Sequence, residues 1–298
     1  MTLQIHRNDR YEYIQALNIF LTRRPKHTQK AYKQRIKYFL KWCSLNEYND
    51  ITQVNHNILE EYIAYMLATG KKPNSINANI SPIKSFFNIL EKTKLIKNNT
   101  LCLVRSCKID RRQCKTQCPD SSVINKLLNS IPDNSQTNHR DKLIILFFLN
   151  TGMRREELKK LKVKDIKLDH VLIEGKGQRK RSISISKKLK KQASIYIAYY
   201  KLGIEEELFQ SISNNNRNKP LTSDSIGRII KKRAKDINEY LTPHMFRVYF
   251  ATNHFNIDTP ISVIQRIMGH ESINQTQRYI AISLDNKISS KHCLEIGV

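Results

Sequence analysis

His244-Met245-Phe246-Arg247, followed by Met268-Gly269-His270 and then by Tyr279, is the stretch that says most about the fold and chemistry of this chain. A histidine and an arginine three residues apart share one face of a helix, so both side chains can reach the same ligand. The planar guanidinium group matches the oxygens of a phosphate and stays charged at any working pH. A tyrosine hydroxyl beside them can act as an attacking group. The stretch therefore predicts a phosphodiester-handling site that ends in a tyrosine nucleophile.

The charge of the chain indicates a polyanionic partner. Its 298 residues include 52 Lys and Arg against 26 Asp and Glu, a formal net charge of +26. Such an excess repels itself in a compact protein and is best explained if a polyanion neutralises it. Nucleic acid is the predicted partner, with an anionic membrane surface and a merely cationic protein as the alternatives. The length favours two domains, each large enough to bury a core.

The sequence shows no membrane or export signal. No stretch approaches the ~20 apolar residues that span a bilayer, and residues 1–9 lack the apolar core of a signal peptide. We therefore expect a cytoplasmic protein with no membrane partner. Of the six cysteines, four lie between 102 and 118, without the Cys-x-x-Cys pairing of a structural zinc site. We expect free thiols and no metal site.

Residues 1–100 are predicted to form a bundle of four helices. Apolar residues recur at intervals of three and four in the stretches 29–43, 58–67 and 76–90. Pro82, inside the third stretch, predicts a kink or an interruption there. The first stretch also carries a stripe of lysines that we expect to contact a DNA backbone, although such a stripe is more often a solvated face. The stripe consists of Lys30, Lys33, Lys37 and Lys41.

Residues 101–119 are predicted to be a linker, because the periodicity fades there into a segment rich in Cys, Lys and Arg. Residues 120–298 are predicted to be mostly helical with a small β-sheet, so the fold class is mainly α (α+β). Residues 171–173 and 182–185 alternate like strands of a hairpin around the turn Gly175-Lys176-Gly177. Helices are predicted after a cap at 120 or 121, at 143–149 and 154–161, and at about 187–201, 222–237, 244–254, 260–268 and 274–282.

The chain has a candidate for every role in cleaving a DNA strand without a metal ion. That reaction needs a nucleophile, charge stabilisation on the non-bridging oxygens and a proton for the departing 5′ oxygen. Arg154 follows a glycine-bearing turn, and Arg247 adds a second guanidinium, so the two can stabilise charge as a divalent cation does. His244 and His270 can donate or accept a proton near neutral pH. Lys176, at the hairpin tip, can reach a DNA groove or the leaving oxygen.

In this order, the residues resemble the tyrosine recombinases, also called the phage integrase family. The segment 151–158, Thr-Gly-Met-Arg-Arg-Glu-Glu-Leu, is similar to the one that carries the family's first catalytic arginine. The turn at Lys176 is similar to the one with its catalytic lysine. The resemblance covers residues 120–285 by motif and the N-terminal helices by layout. Length and two-domain plan are closest to the Xer-type site-specific recombinases.

The resemblance implies a division of labour at one phosphate. Tyr279 would attack the phosphorus atom and form a 3′-phosphotyrosyl bond, while Arg154 and Arg247 bind that phosphate. Lys176 would be the general acid for the 5′-hydroxyl. His244 would assist proton movement at the tyrosine. Because the covalent bond keeps the energy of the phosphodiester, strands would be exchanged and resealed without ATP, metal or another cofactor.

Two further residues receive roles from the resemblance. His270 would hydrogen-bond the phosphate, and Glu157 would orient an arginine or a helix. Val248 and Met268 depart from the residues that many relatives have, histidine and leucine, but neither touches an expected catalytic role.

The resemblance also implies domains and partners. Residues 1–100 would be a SAM-like core-binding domain, and residues 120–298 the catalytic domain. The partner would be double-stranded DNA with a specific core site, held by four protomers, identical or of two kinds, through a Holliday junction. Such a protein would be associated with the nucleoid. The resemblance does not distinguish integration or excision of an element from resolution of DNA dimers.

Two other functions fit parts of the pattern. A type IB topoisomerase shares the catalytic set, but a separate helical DNA-binding domain fits a synapse better. A regulator that binds DNA without cleaving it is the second alternative, and the intact set of six residues argues against it. Those six are Arg154, Lys176, His244, Arg247, His270 and Tyr279.

Overall fold

The computed structural model describes residues 7–108, 118–175, 179–212, 219–277 and 279–280. The chain divides into two compact units, Met1–Arg111 and Arg112–Val298, and each has its own hydrophobic core. The fold is mostly helical with one small sheet, which confirms the predicted fold class. Within the described residues, no helix is long and apolar enough to cross a membrane.

The first unit is built from four long helices, as the periodicity predicts. They are α1 (Arg7–Thr22), α2 (Lys26–Leu45), α3 (His56–Ala68) and α4 (Pro73–Lys92). The aromatic rings of Phe39 and Phe87, both fully buried, meet edge-on at a centroid distance of 6.3 Å and join α2 to α4. Packing of these apolar faces is what stabilises helices of this length.

Pro82 lies inside α4 without interrupting it, so the predicted interruption is wrong. A proline within a helix removes one hydrogen bond and costs roughly 3 kcal/mol. Ile80, two residues before it, and Ile83, directly after it, are buried in the core, as are Phe86 and Phe87 one turn later. The apolar surface that these side chains bury outweighs the lost hydrogen bond.

All four stripe lysines are exposed on α2, opposite the buried Ile36, Phe39 and Cys43. The stripe is therefore a free cationic surface of the first unit, and its contact with DNA stays a prediction.

The beginning of the predicted linker belongs to the first unit. Leu101 and Val104 are buried in its core, and residues Thr100–Leu103 form a 3-10 helix. The Asn77 side chain donates a hydrogen bond to the Cys107 carbonyl (2.9 Å) and accepts one from the Cys107 amide (2.8 Å). Apolar residues three positions apart, invisible to a search for long periodic stretches, explain this extension of the core.

Free thiols are found at all the described cysteines, which are Cys43, Cys102, Cys107 and Cys118. Cys43 is buried in the first unit, and the other three are at least partly accessible. Cys114 and Cys293 lie outside the described residues.

In the described part of the second unit, three α-helices precede a β-hairpin along the chain and further helices follow it. They are α5 (Ser121–Asn129), α6 (Gln136–Thr151), α7 (Arg155–Lys160), α8 (Lys187–Tyr200), α9 (Ser223–Lys235), α10 (Pro243–Asn256) and α11 (Ile261–Met268). Residues 273–277 and 279–280 are also helical. The rest of the helix predicted at 274–282 lies outside the described residues.

The predicted hairpin is present as two antiparallel strands, β1 (His170–Glu174) and β2 (Lys180–Ser184). Val171, Ile173 and Ile183 point into the core of the unit, because alternate residues of a strand share one face. The turn at 176–178, and with it Lys176, lies outside the described residues.

Packing of α6 against α10 positions two of the predicted site residues. Their buried rings Phe148 and Phe246 stack at a centroid distance of 6.3 Å. Arg247 follows Phe246 on α10, and Arg154 follows the end of α6 by three residues. Two segments about ninety residues apart in sequence thereby meet at one place.

Candidate active site

The turn between α6 and α7 delivers Arg154 to the site. Gly152 ends α6 in the left-handed region (φ +56°), and its amide bonds the Phe148 carbonyl at 3.0 Å. The buried Thr151 hydroxyl donates to the Phe147 carbonyl at 2.6 Å. Left-handed backbone is costly for residues with a Cβ, which explains the glycine. Arg154 then caps the N-terminus of α7.

Gly152→Ala should destabilise the second unit by about 2–5 kcal/mol, because left-handed strain adds to overpacking. A Cβ at Gly152 would lie 2.5 Å from Cδ1 of Phe250. The matched control is Gly70→Ala, since Gly70 is also left-handed (φ +77°) but has nothing within 4 Å of its Cβ position. We expect the control to lose only about 1–2 kcal/mol in urea unfolding. Equal losses in the two variants would contradict the predicted clash.

Glu157 is a buried carboxylate that holds two arginines. Arg181 binds it through two parallel hydrogen bonds of 2.9 and 2.7 Å. Arg154 binds it through its backbone amide at 2.7 Å and through Nη1 at 3.0 Å. Burial opposes ionisation of Glu157, but the hydrogen bonds and charges of Arg181 and Arg154 together hold its pKa below the usual value. Glu157 therefore stays ionised and fixes Arg154, which is the orienting role that the resemblance implies.

Arg247 is almost completely buried, with 3% of its surface exposed. Its guanidinium donates to the carbonyls of Gly152 and Met268. Burial lowers the pKa of Arg247 to about 10, and the nearby charge of Arg154 acts in the same direction, whereas Tyr279 and Glu157 act against it. Arg247 thus remains charged at neutral pH and lies close to Arg154.

Three arginines converge on the carboxyl end of α11. Arg181 donates to the Ile267 carbonyl at 2.7 Å, Arg247 to that of Met268, and Arg154 to that of Gly269 at 2.9 Å. These are carbonyls at the negative end of a helix dipole, where cations are favoured. We call this set of three guanidiniums, with the three carbonyls, the arginine hub.

Arg181 was not among the residues predicted from the sequence. It lies on β2, two residues before the buried Ile183, so both side chains belong on the inward face of the strand. A charged residue in an inward-facing strand position is the signal that could have identified it. Its partner Glu157 is 24 residues away and was assigned only a general orienting role.

Tyr279 lies between the two predicted histidines. Its ring centroid is 5.1 Å from that of His244 and 5.1 Å from that of His270, and both contacts are close to perpendicular. The Thr252 hydroxyl on α10 donates to the Tyr279 carbonyl at 3.2 Å, and the next residue, Ile280, is fully buried. The tyrosine is therefore docked against α10 and α11 of its own chain.

The site keeps its histidines neutral. Burial lowers the pKa of His270 to about 3, helped by the charges of Arg247, Arg154 and Arg181. Partial desolvation at the cleft also lowers the pKa of His244, and the charge of Arg247 adds to the effect. Part of the His244 side chain is still in contact with solvent. Both rings are uncharged at neutral pH and can accept or donate one hydrogen bond at each nitrogen.

Acid should destabilise the second unit through His270. In the unfolded chain this histidine takes up a proton as the pH falls through 6.5, whereas the folded protein keeps it neutral down to about 3. Stability from this group is therefore complete above pH 6.5 and is lost progressively between pH 6.5 and 3. Urea unfolding at pH 7.5, 6.0 and 5.0 should show a smaller loss for His270→Gln than for the wild type. Parallel losses would contradict this source of acid sensitivity.

Five of the six predicted catalytic residues meet in one place. Arg154, His244 and Arg247 line a cleft of about 260 Å³, and His270 and Tyr279 adjoin them through the contacts described above. The sixth, Lys176, lies outside the described residues. The four stripe lysines belong to the other unit.

Comparisons with known proteins identify relatives of both units of the chain. The profile of the phage integrase family matches residues 120–285, and that of the phage integrase N-terminal SAM-like domain matches residues 12–94. Tyrosine recombinase XerC of Thermodesulfovibrio yellowstonii is 29% identical, over 91% of this chain and 88% of its own length.

Two solved structures share the fold. XerH site-specific recombinase bound to a palindromic difH substrate superposes with a TM-score of 0.74 at 19% identity, over 88% of this chain and 78% of that one. A lambda integrase tetramer bound to a Holliday junction gives 0.69 at 16% identity, over 90% and 80%.

Proposed function

Because the chain belongs to the phage integrase family, we propose that it is a site-specific tyrosine recombinase that cuts and rejoins DNA strands through a 3′-phosphotyrosyl intermediate. The observation that carries this proposal is the position of Tyr279 between His244 and His270, beside the guanidiniums of Arg154 and Arg247. A phenol beside two fixed cations and two neutral imidazoles is equipped for attack on a phosphodiester.

The cleavage step needs no cofactor. The Tyr279 oxygen forms a bond to phosphorus as the bond from phosphorus to the 5′ oxygen breaks. Arg154 and Arg247 stabilise the charge that builds on the non-bridging oxygens. Their guanidiniums are already held by carbonyls and by Glu157, so little reorganisation is needed during the reaction.

Two protons move during cleavage. The phenol proton passes to His244, which is free to accept it because burial and the charge of Arg247 lower its pKa and keep the ring neutral at working pH. The 5′ oxygen receives its proton from Lys176. Attack of a 5′-hydroxyl on the phosphotyrosine reverses both transfers and reseals the strand, so no ATP is consumed.

The proposed substrate is double-stranded DNA with a specific core site, in the nucleoid. Four protomers, all identical or of two kinds, would bind it together. The lambda integrase tetramer on a Holliday junction, which has this fold, supports the assembly.

To test the function, nicked suicide substrates that carry inverted repeats from the DNA beside the coding sequence should trap a covalent adduct. Relaxation of supercoiled DNA without any core site would favour a topoisomerase instead. Binding without cleavage of any nicked target would favour a regulator.

The α2 stripe should contribute to DNA affinity through phosphates. Each neutralised phosphate adds about 0.9 to the slope of log affinity against log salt, because counterions are released. Changing Lys30, Lys33, Lys37 and Lys41 to Gln should lower that slope by up to about 3.6, if each lysine neutralises one phosphate. The slope is obtained from DNA affinities measured by fluorescence anisotropy. The salt concentration is varied from about 50 to 300 mM, because such binding weakens over this range.

A matched control removes four other exposed lysines of the same unit, which are Lys71, Lys72, Lys92 and Lys94. Their loss should change the slope by less than about 1. If both variants change it equally, only the general charge of the unit matters, and the α2 surface is not the DNA contact.

A further inference from the structure

We propose that the Thr276 hydroxyl sets the tautomer of His270, so that Nδ1 is bare and Nε2 carries the proton that is offered to the scissile phosphate. Thr276 would then be a positioning residue, which acts through His270 and does not touch the DNA. The inference rests on the proposed function and names the atom by which His270 serves it.

The contact between the two side chains is short and shielded from water. Oγ1 of Thr276 lies 2.8 Å from Nδ1 of His270. Thr276 is fully buried, and His270 is 8% exposed. Water therefore does not compete for this hydrogen bond, and the two partners determine each other's proton positions.

The direction of the hydrogen bond follows from the hydroxyl proton. A buried hydroxyl donates its proton to an acceptor, because leaving it unpaired is costly. Within the described part of the chain, Nδ1 of His270 is the only hydrogen-bond partner found for the Thr276 hydroxyl, so that proton is donated to Nδ1. Nδ1 must then be unprotonated. Since the ring is neutral at working pH, its single proton lies on Nε2.

The tautomer separates the duties of the two histidines. With its proton on Nε2 and Nδ1 occupied by Thr276, His270 can donate to an oxyanion but has no free nitrogen for accepting the phenol proton. That acceptor role is left to His244, on the other side of the Tyr279 ring. A residue that orients a catalytic histidine by its other ring nitrogen is a known device in acid–base sites.

Thr276 also lies one helical turn before Tyr279, so it could merely anchor that helix. Thr252 provides the comparison, since its hydroxyl binds the same helix at the Tyr279 carbonyl and is not bonded to His270. Thr252→Val therefore removes an anchor without touching the imidazole. Only Thr276→Val should change both the anchoring of the helix and the tautomer of the His270 ring.

The first measurement is the tautomer itself. Nitrogen NMR of the full chain with 15N-labelled histidine distinguishes a protonated ring nitrogen from a bare one, and His270→Gln identifies the signal. We expect a bare Nδ1 and a protonated Nε2 in the wild type, in Thr276→Ser and in Thr252→Val. Thr276→Val should shift the population toward the other tautomer. A wild-type ring protonated on Nδ1, or an unchanged ring in Thr276→Val, would overturn the inference.

The second measurement is single-turnover formation of the covalent adduct. Thr276→Val should slow it roughly 10–100-fold, by analogy with the cost of losing a group that orients a metal-binding histidine, with DNA affinity changed less than about 3-fold. Thr276→Ser keeps the hydroxyl and should stay within about 3-fold of the wild type. Equal slowing of both variants would mean that the methyl group matters and the hydroxyl does not. If the wild type forms no adduct at all, the proposed function fails, while the NMR result still decides the tautomer.

Discussion

Tyr279→Phe should abolish the covalent protein–DNA adduct, with a loss of at least roughly 10³-fold, because the substitution removes the only atom that bonds to phosphorus. The fold should survive it. The ring would keep its contacts with His244 and His270, each at a centroid distance of 5.1 Å, and Ile280 would stay buried. Adduct on a nicked substrate is measured by its slower migration in a denaturing gel.

Tyr249→Phe is the matched control for this experiment. Tyr249 lies on the same α10 that anchors the Tyr279 helix, and its hydroxyl is 3.1 Å from Oγ of Ser121. Removing that hydroxyl should leave adduct formation close to the wild-type rate. An undiminished adduct from Tyr279→Phe would show that another residue is the nucleophile and would end the recombinase assignment.

Arg154→Lys should slow adduct formation by about 10²–10³-fold, the range found when one donor to a developing oxyanion is lost. The lysine keeps the charge but not the planar fork, so it cannot bind Glu157, the Gly269 carbonyl and a phosphate together. DNA affinity should change only a few-fold, because we expect many other basic residues to contact phosphates as well. Rate and affinity are measured separately, by single-turnover cleavage and by anisotropy.

Arg155→Lys tests whether any arginine at this turn matters equally. Arg155 has the same side-chain exposure as Arg154, 40%, but its guanidinium faces Asp224 at 3.6 Å. We expect the control to slow cleavage by less than about 5-fold, since an exposed ion pair contributes little. Similar losses for the two variants would show that the contacts of Arg154 with Glu157 and α11 are not what makes it effective.

Most of the fold follows from the sequence because its signals are local. For the helices from α6 to α11 and for the hairpin, the spacing of the apolar residues is visible within a short stretch of sequence. Gly152 and Gly269, which have a left-handed backbone, mark the ends of helices. The alternative of an interruption at Pro82 is wrong because the free energy that keeps α4 continuous comes from burial against other helices. That contribution cannot be read from the helix alone.

The sequence predicts most residues of the candidate site but not the contacts that connect them. The resemblance singled out Arg154, Arg247 and Tyr279, and the structure brings them together. The ion pair from Arg181 to Glu157 and the hydrogen bonds to the three carbonyls at the carboxyl end of α11 were not foreseen, because each joins residues far apart in sequence. Main-chain acceptors, moreover, leave no trace in residue identity.

The arginine hub determines which positions at the carboxyl end of α11 can accept other amino acids. Its acceptors are backbone oxygens, which every amino acid supplies, so the identity of the side chains at 267 and 268 is not what holds the guanidiniums. Met268 in place of leucine is therefore compatible with an intact hub. The demanding position is Gly269, where a side chain would be strained by the left-handed backbone (φ +61°) and would have to displace the Arg181 nitrogen that lies 3.1 Å from the Cβ position.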